Sequence, residues 1–155
     1  MCIRDRSTAG HLLGIKKLAS DFPNLPIALS LHAASVSLRN KIMPINKTWS
    51  LVDVLSELKQ LQDAGRLKRL LIQYTLIDGV NDSQEEISGL IELLKQIDCK
   101  LNLIPMNEVE FSRWKAPELE RIENIQKTIL DAGIRCMVRF SKAQDIGGAC
   151  GQLNK

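Results

Sequence analysis

The chain has 155 residues, 45% of them hydrophobic and 25% charged, which is ordinary globular usage and excludes a disordered, collagen-like or disulfide-dense chain. Its 21 basic and 18 acidic residues leave a net charge of +3, a balance that permits a polyanionic partner without requiring one. No apolar run approaches the roughly 18 residues of a membrane span and the N-terminus lacks the apolar core of a secretory signal, so a cytoplasmic protein with no membrane partner is expected.

Apolar residues at helical spacing from His11 to Ser20 predict a first short helix, ended before the Pro23 turn. Pro26 to Leu31 contains the continuous apolar run Ile27-Ala28-Leu29, which fits a buried parallel strand and leaves His32 at its C-terminal end. A helical turn from Val36 to Ile42 follows, then a turn at Met43-Pro44-Ile45-Asn46. Ser50 can cap a helix whose stripe is Leu51, Val54, Leu55, Leu58 and Leu61, with Gly65 ending it. Trp49, just before the cap, fits a hydrophobic staple better than a base-stacking platform, whereas Trp114 stands open between the two.

Leu70 to Ile77 predicts the next strand, and the turn Asp78-Gly79-Val80-Asn81-Asp82 provides a second N-cap. Ile87, Leu90, Ile91 and Leu94 mark the helix that follows. Leu101 to Ile104 predicts a third strand, and Pro105 to Ala116 a polar loop of the kind that carries function. Pro117 restarts a helix with Leu119, Ile122, Ile125 and Ile129 inward, and Ile134 to Arg139 predicts a fourth strand before the glycine-rich tail Gly147 to Gly151. Strands alternating with helical crossovers give an α/β fold with parallel strands, whose ligands belong at the strands' C-terminal ends.

The residues at those ends are individually ambiguous. Ser7-Thr8-Ala9-Gly10 also suits a helix cap, His32 a hydrogen-bonded strand end, and Asn107 a local turn. His11 has no assigned role. The four cysteines, Cys2, Cys99, Cys136 and Cys150, show no C-x-x-C spacing, so no metal site is read from them, and Cys99 and Cys136 suit small buried hydrophobes.

Together and in order, Ser7-Thr8-Ala9-Gly10, Ala28-Leu29-Ser30-Leu31-His32-Ala33, Met43-Pro44-Ile45-Asn46, Asp78-Gly79-Val80-Asn81-Asp82, Asn102-Leu103-Ile104-Pro105-Met106-Asn107 and Ala149-Cys150-Gly151-Gln152-Leu153 resemble one family. It is that of the dual-specificity 23S rRNA and tRNA adenine-C2 methyltransferases of the radical S-adenosylmethionine superfamily. The resemblance runs from Ser7 to about Leu153. It implies the C-terminal part of a partial (β/α) barrel, and methylation of adenine carbon 2 in 23S rRNA and tRNA.

By the same resemblance, Cys150 is the catalytic cysteine, methylated by one S-adenosylmethionine, while a second is cleaved at a [4Fe-4S] cluster to the radical that activates the S-methyl group. Flanking Ala149 and Gly151 would leave that sulfur room for close approach. Ser7, Ser30, Leu31, His32 and Asn107 match positions that contact S-adenosylmethionine. Arg139 and Lys142 suit either phosphate contacts to RNA or a solvated surface.

The chain departs from that pattern in several places. The C-x-x-x-C-x-x-C cluster motif and the second catalytic cysteine are not found in it, so a catalytically incomplete half barrel over residues 7–155 is expected. Residues 1–6 do not read as the apolar strand that the family places there, and suggest a truncated or joined start. Glu108 to Trp114 differ from the family's usual loop. A carbon-8 methyltransferase of the same family, against which Pro105 weakly argues, and a non-catalytic fragment that binds S-adenosylmethionine or RNA are the alternatives.

Overall fold

The computed structural model describes residues 6–107 and 114–140. Five parallel strands, β1 (Arg6–Thr8), β2 (Ile27–Ser30), β3 (Leu70–Leu76), β4 (Lys100–Pro105) and β5 (Arg135–Val138), pair in sequence order. Between them run α1 (Leu12–Asp21), α2 (Val36–Ile42), a 3-10 turn (Pro44–Lys47), α3 (Leu51–Asp63), α4 (Gln84–Leu94) and α5 (Leu119–Asp131).

That strand order decides the architecture. Right-handed crossovers that always step to the next strand in one direction lay every crossover on the same side of the sheet, as in a (β/α) barrel. A doubly wound sheet needs a reversal of order, and there is none here. The single core follows: Ile27, Leu29, Ile72, Tyr74, Leu101 and Leu103 point from the strands to Ile15 of α1, Val54 and Leu58 of α3, Leu90 of α4 and Ile129 of α5.

Register places the alternate residues on the opposite side. Ser7 pairs with Ala28, and Ser30, Gln73, Asn102 and Met137 form one row across β2 to β5. This side is more polar, and Gln73 and Thr75 on it are only half buried. The α/β expectation therefore stands, with one strand more than the pattern shows. The strand the pattern does not show is β1, which begins at Arg6 in register with Ile27. A strand of three residues carries too few alternations to be seen by periodicity.

The helix starts also differ in places. His11 caps α1, its Nδ1 accepting the Gly14 N–H at 2.9 Å, while Thr8 Oγ1 accepts from Gly10 N–H instead of capping. Ser83, not Asn81 or Asp82, caps α4, and Pro117 precedes the N-cap residue Glu118 of α5, whose first residue Leu119 is exposed and not inward as expected, since it lies off the stripe of Ile122, Ile125 and Ile129. Ser50 caps α3 as expected, and Trp49 before it packs on the core and meets the His11 ring at 5.5 Å. Asp82, nearly buried, accepts from Arg121 Nε at 2.5 Å and so fastens α5 to the loop after β3.

Candidate functional site at the strand ends

The segment Ser30 to Ser35, leaving the C-terminal end of β2, has most of its backbone groups held. Leu31 N–H donates to Gln73 O at 2.9 Å, the last rung between β2 and β3. In a continuing parallel strand Leu31 O would accept from Thr75 N–H. It accepts instead from Arg39 Nε and from Ala33 N–H. Thr75 N–H is taken up at 3.0 Å by Nδ1 of His32, whose ring thus replaces the missing strand residue.

His32 reaches this position with a φ of 58°, the left-handed region, which costs an L residue of its kind on the order of 1 kcal/mol. Asn81 compensates. Fully buried, it donates Nδ2 to His32 O at 2.8 Å and to Thr75 O at 2.6 Å, and accepts Ile77 N–H on Oδ1 at 2.8 Å. Tyr74 Oη donates to the Asn81 carbonyl at 2.9 Å. Glu86, at capping-box distance from Ser83, turns its carboxylate away from that cap and accepts from Ala34 and Ser35 N–H.

Arg39 of α2 completes the arrangement. It is wholly buried, and its hydrogen-bond partners among the described residues are oxygen atoms without formal charge: Nε to Leu31 O, Nη1 to Asn46 Oδ1, and Nη2 to Ala9 O and Ser30 O, at 2.8–3.2 Å. One guanidinium therefore ties the end of β1 to the end of β2. Gly10, at φ +106°, lets the chain turn there, and a Cβ on it would stand 3.5 Å from Arg39 Nη2.

Electrostatics follow from burial. Desolvation first, and the Arg39 charge second, push the His32 imidazole down to about 4, so it is neutral at physiological pH. Burial pushes the Cys99 and Cys136 thiols up to about 11 and 12. Cys99 is buried and Cys136 faces the helices, so both suit the packing role expected of them. Among the described residues no group of three or more His, Cys, Asp or Glu could hold a metal ion.

The residues expected to touch a cofactor are placed unequally. Ser7 is exposed on the edge strand β1, in register with Ala28 on the polar side. Ser30 is half buried on that same side, and His32 stands beyond it. Leu31 has its side chain in the core and both backbone polar groups engaged, so it supports the site without offering it a free group. Asn107 is buried two residues past the end of β4. Arg139 is exposed beyond β5, while Cys150 and Lys142 lie outside the described residues.

Sequence reasoning passed over Arg39, Asn81 as a cross-strand brace, Glu86 and Asn102. Asn102 Oδ1 is buried and has no hydrogen-bond partner among the described residues. A cleft between α4 and α5, lined by Asp82, Gln84, Glu118 and Arg121 among others, includes none of the expected residues.

No family model matches the chain. It is, however, 40% identical over 148 residues to the dual-specificity RNA methyltransferase RlmN of Ruthia magnifica subsp. Calyptogena magnifica, covering 95% of this chain and 41% of that protein. The chain is homologous to part of the RlmN proteins. The probable dual-specificity RNA methyltransferase RlmN of Akkermansia muciniphila matches this RlmN-like chain at 39% identity, with coverage of 95% and 41%. The chain thus spans about two fifths of the length of these RlmN relatives. A crystal structure of a radical SAM methyltransferase from Sphaerobacter thermophilus superposes with a TM-score of 0.89 at 34% identity, over 96% of this chain and 43% of that one. A domain of a pyruvate-formate lyase-activating enzyme from Bacteroides vulgatus, 14% identical with a TM-score of 0.66, shares the fold.

Proposed function

We propose that this chain forms the C-terminal, S-adenosylmethionine-binding part of a radical adenine-C2 methyltransferase acting on 23S rRNA and tRNA. The observation that carries the reading is the braced Ser30–His32 turn. In a chain homologous to RlmN, it puts a hydroxyl and a neutral imidazole at the C-terminal end of the sheet, where such folds hold ligands.

The donor set suits S-adenosylmethionine. Ser30 and Asn107 offer hydroxyl and amide groups for its ribose and amino-acid parts, and the buried Asn102 Oδ1, without a hydrogen-bond partner among the described residues, lies on the same side of the sheet as Ser30. When bound, the cofactor supplies the methyl group and the radical chemistry. Ser7 would reach it from β1, and Cys150 is the proposed methyl-carrying residue. The described residues do not fit an iron-sulfur cluster, because the described cysteines face the helices as protonated thiols. In the whole enzyme the ligands of a cluster would come from another segment.

The test is to join the chain to an upstream segment bearing three cluster cysteines and to assay 23S rRNA and tRNA for methyladenosine by mass spectrometry. Methylation at carbon 2, lost in Cys150→Ala, supports the reading. Methylation at carbon 8 assigns the chain to the sister activity, and no methylation alongside intact cofactor binding reduces it to a binding fragment.

A further inference from the structure

We propose that His32 serves the ligand of this site as a hydrogen-bond donor through Nε2, locked in that tautomer by the Thr75 N–H, and takes no part in proton transfer. The proposal rests on the reading of the strand ends as an S-adenosylmethionine site and assigns one atom of it a role.

A backbone N–H can only donate. Its 3.0 Å bond to Nδ1 therefore requires that nitrogen to be unprotonated, and a neutral imidazole must then carry its proton on Nε2. Nothing can easily reverse this. Turning the proton onto Nδ1 would set two N–H groups against each other and leave the Thr75 N–H without an acceptor, at about 1–3 kcal/mol. The backbone that carries the ring is held at φ 58° by Asn81 Nδ2 on its carbonyl and by the Glu86 carboxylate on Ala34 N–H, and swinging the ring away would likewise strand the Thr75 N–H.

The surroundings also disfavour the cation. Arg39, whose guanidinium is bonded to the carbonyls of Ser30 and Leu31 just before His32, adds a positive charge, and burial removes water. Meanwhile Nε2 has no hydrogen-bond partner among the described residues, and the side chain is only partly buried. A neutral donor of fixed direction recognises an acceptor atom, such as a ribose oxygen, a carboxylate oxygen or an adenine ring nitrogen, all of which S-adenosylmethionine carries. The lone pair of Nδ1 is engaged by the Thr75 N–H, so the ring does not act as a base at neutral pH.

The experiment uses the 155-residue chain uniformly labelled with 15N, with His11→Asn, which keeps a helix-cap acceptor, to assign the remaining imidazole. Long-range proton–nitrogen correlation should show the Nε2–H tautomer of His32 unchanged from pH 8 down to 5. S-adenosylhomocysteine, the probe, should shift and sharpen the His32 Nε2 proton. In His32→Asn, which tolerates the left-handed backbone, its affinity should fall about three- to tenfold, as for one lost hydrogen bond. An Nδ1–H tautomer, or a ring that becomes cationic between pH 7 and 6, overturns the proposal. So does a probe that moves the Ser30 and Asn107 amides without moving His32, a result that leaves the site reading intact. A probe that moves none of the three overturns both.

Discussion

Replacing Asn81 by alanine tests whether the strand ends are braced as the hydrogen bonds indicate. The side chain is fully buried and makes three bonds. Its loss strands the buried Ile77 N–H, at about 1–3 kcal/mol, and removes two donors from the carbonyls of His32 and Thr75, at about 0.5–1.5 kcal/mol each. The expected destabilisation is about 2–6 kcal/mol, centred on about 4 kcal/mol, a large share of the roughly 5–15 kcal/mol by which domains are stable. Urea unfolding followed by circular dichroism would show it as a midpoint lowered by about 2 M at unchanged slope, taking a slope of about 2 kcal/mol per molar.

Asn81→Asp sharpens the test. It keeps the acceptor for Ile77 N–H but sets a carboxylate against two carbonyl oxygens. Relative to the parent chain at each pH, it should be at least as damaging as alanine at pH 7 and should recover as the carboxyl gains a proton and can donate. An alanine variant that loses under about 1 kcal/mol, or an aspartate variant whose deficit does not change with pH, would refute the brace.

Stability should also fall with acid because of His32. Its native imidazole titrates at about 4 against about 6.5 when unfolded, so between those values the unfolded chain binds a proton that the native chain does not. The contribution is complete above pH 6.5 and is lost as the pH falls toward 4, over a span of about 3 kcal/mol. Urea midpoints across that range should show the slope in the parent and its loss in His32→Asn; equal slopes would refute it. Arg39→Lys should cost about 2–4 kcal/mol in the same assay, because an ammonium cannot span four oxygens. Arg39→Met should cost no more, since it also removes the buried charge, and the reverse order would show that charge matters more than the fork. Cys99 and Cys136, with thiols pushed up to about 11 and 12, should stay unlabelled by iodoacetamide at pH 8 in the folded chain and react in urea, as peptide mass spectrometry would report.

Much of this protein is determined locally. Ser50 and the leucine stripe after it form α3 because cap and periodicity agree over 13 residues, and Leu70–Leu76 and Lys100–Pro105 are apolar enough to be recognised as parallel strands. The motif strings at the strand ends were legible for the same reason: turn and cap residues stand at short spacing next to apolar runs. Ser30, His32 and Asn107, ambiguous one by one, were singled out only through the resemblance of those strings to a family.

Only the tertiary structure decided how those residues are held. Arg39 lies 30 residues from Ala9, His32 lies 43 from Thr75, and Glu86 lies 52 from Ala34, and no local pattern records such pairings. A buried arginine reads in sequence as an exposed helix residue, and Asn81 reads as a turn. Each acquires its role because the strands end at different points, and that leaves backbone donors and acceptors that burial requires some side chain to satisfy.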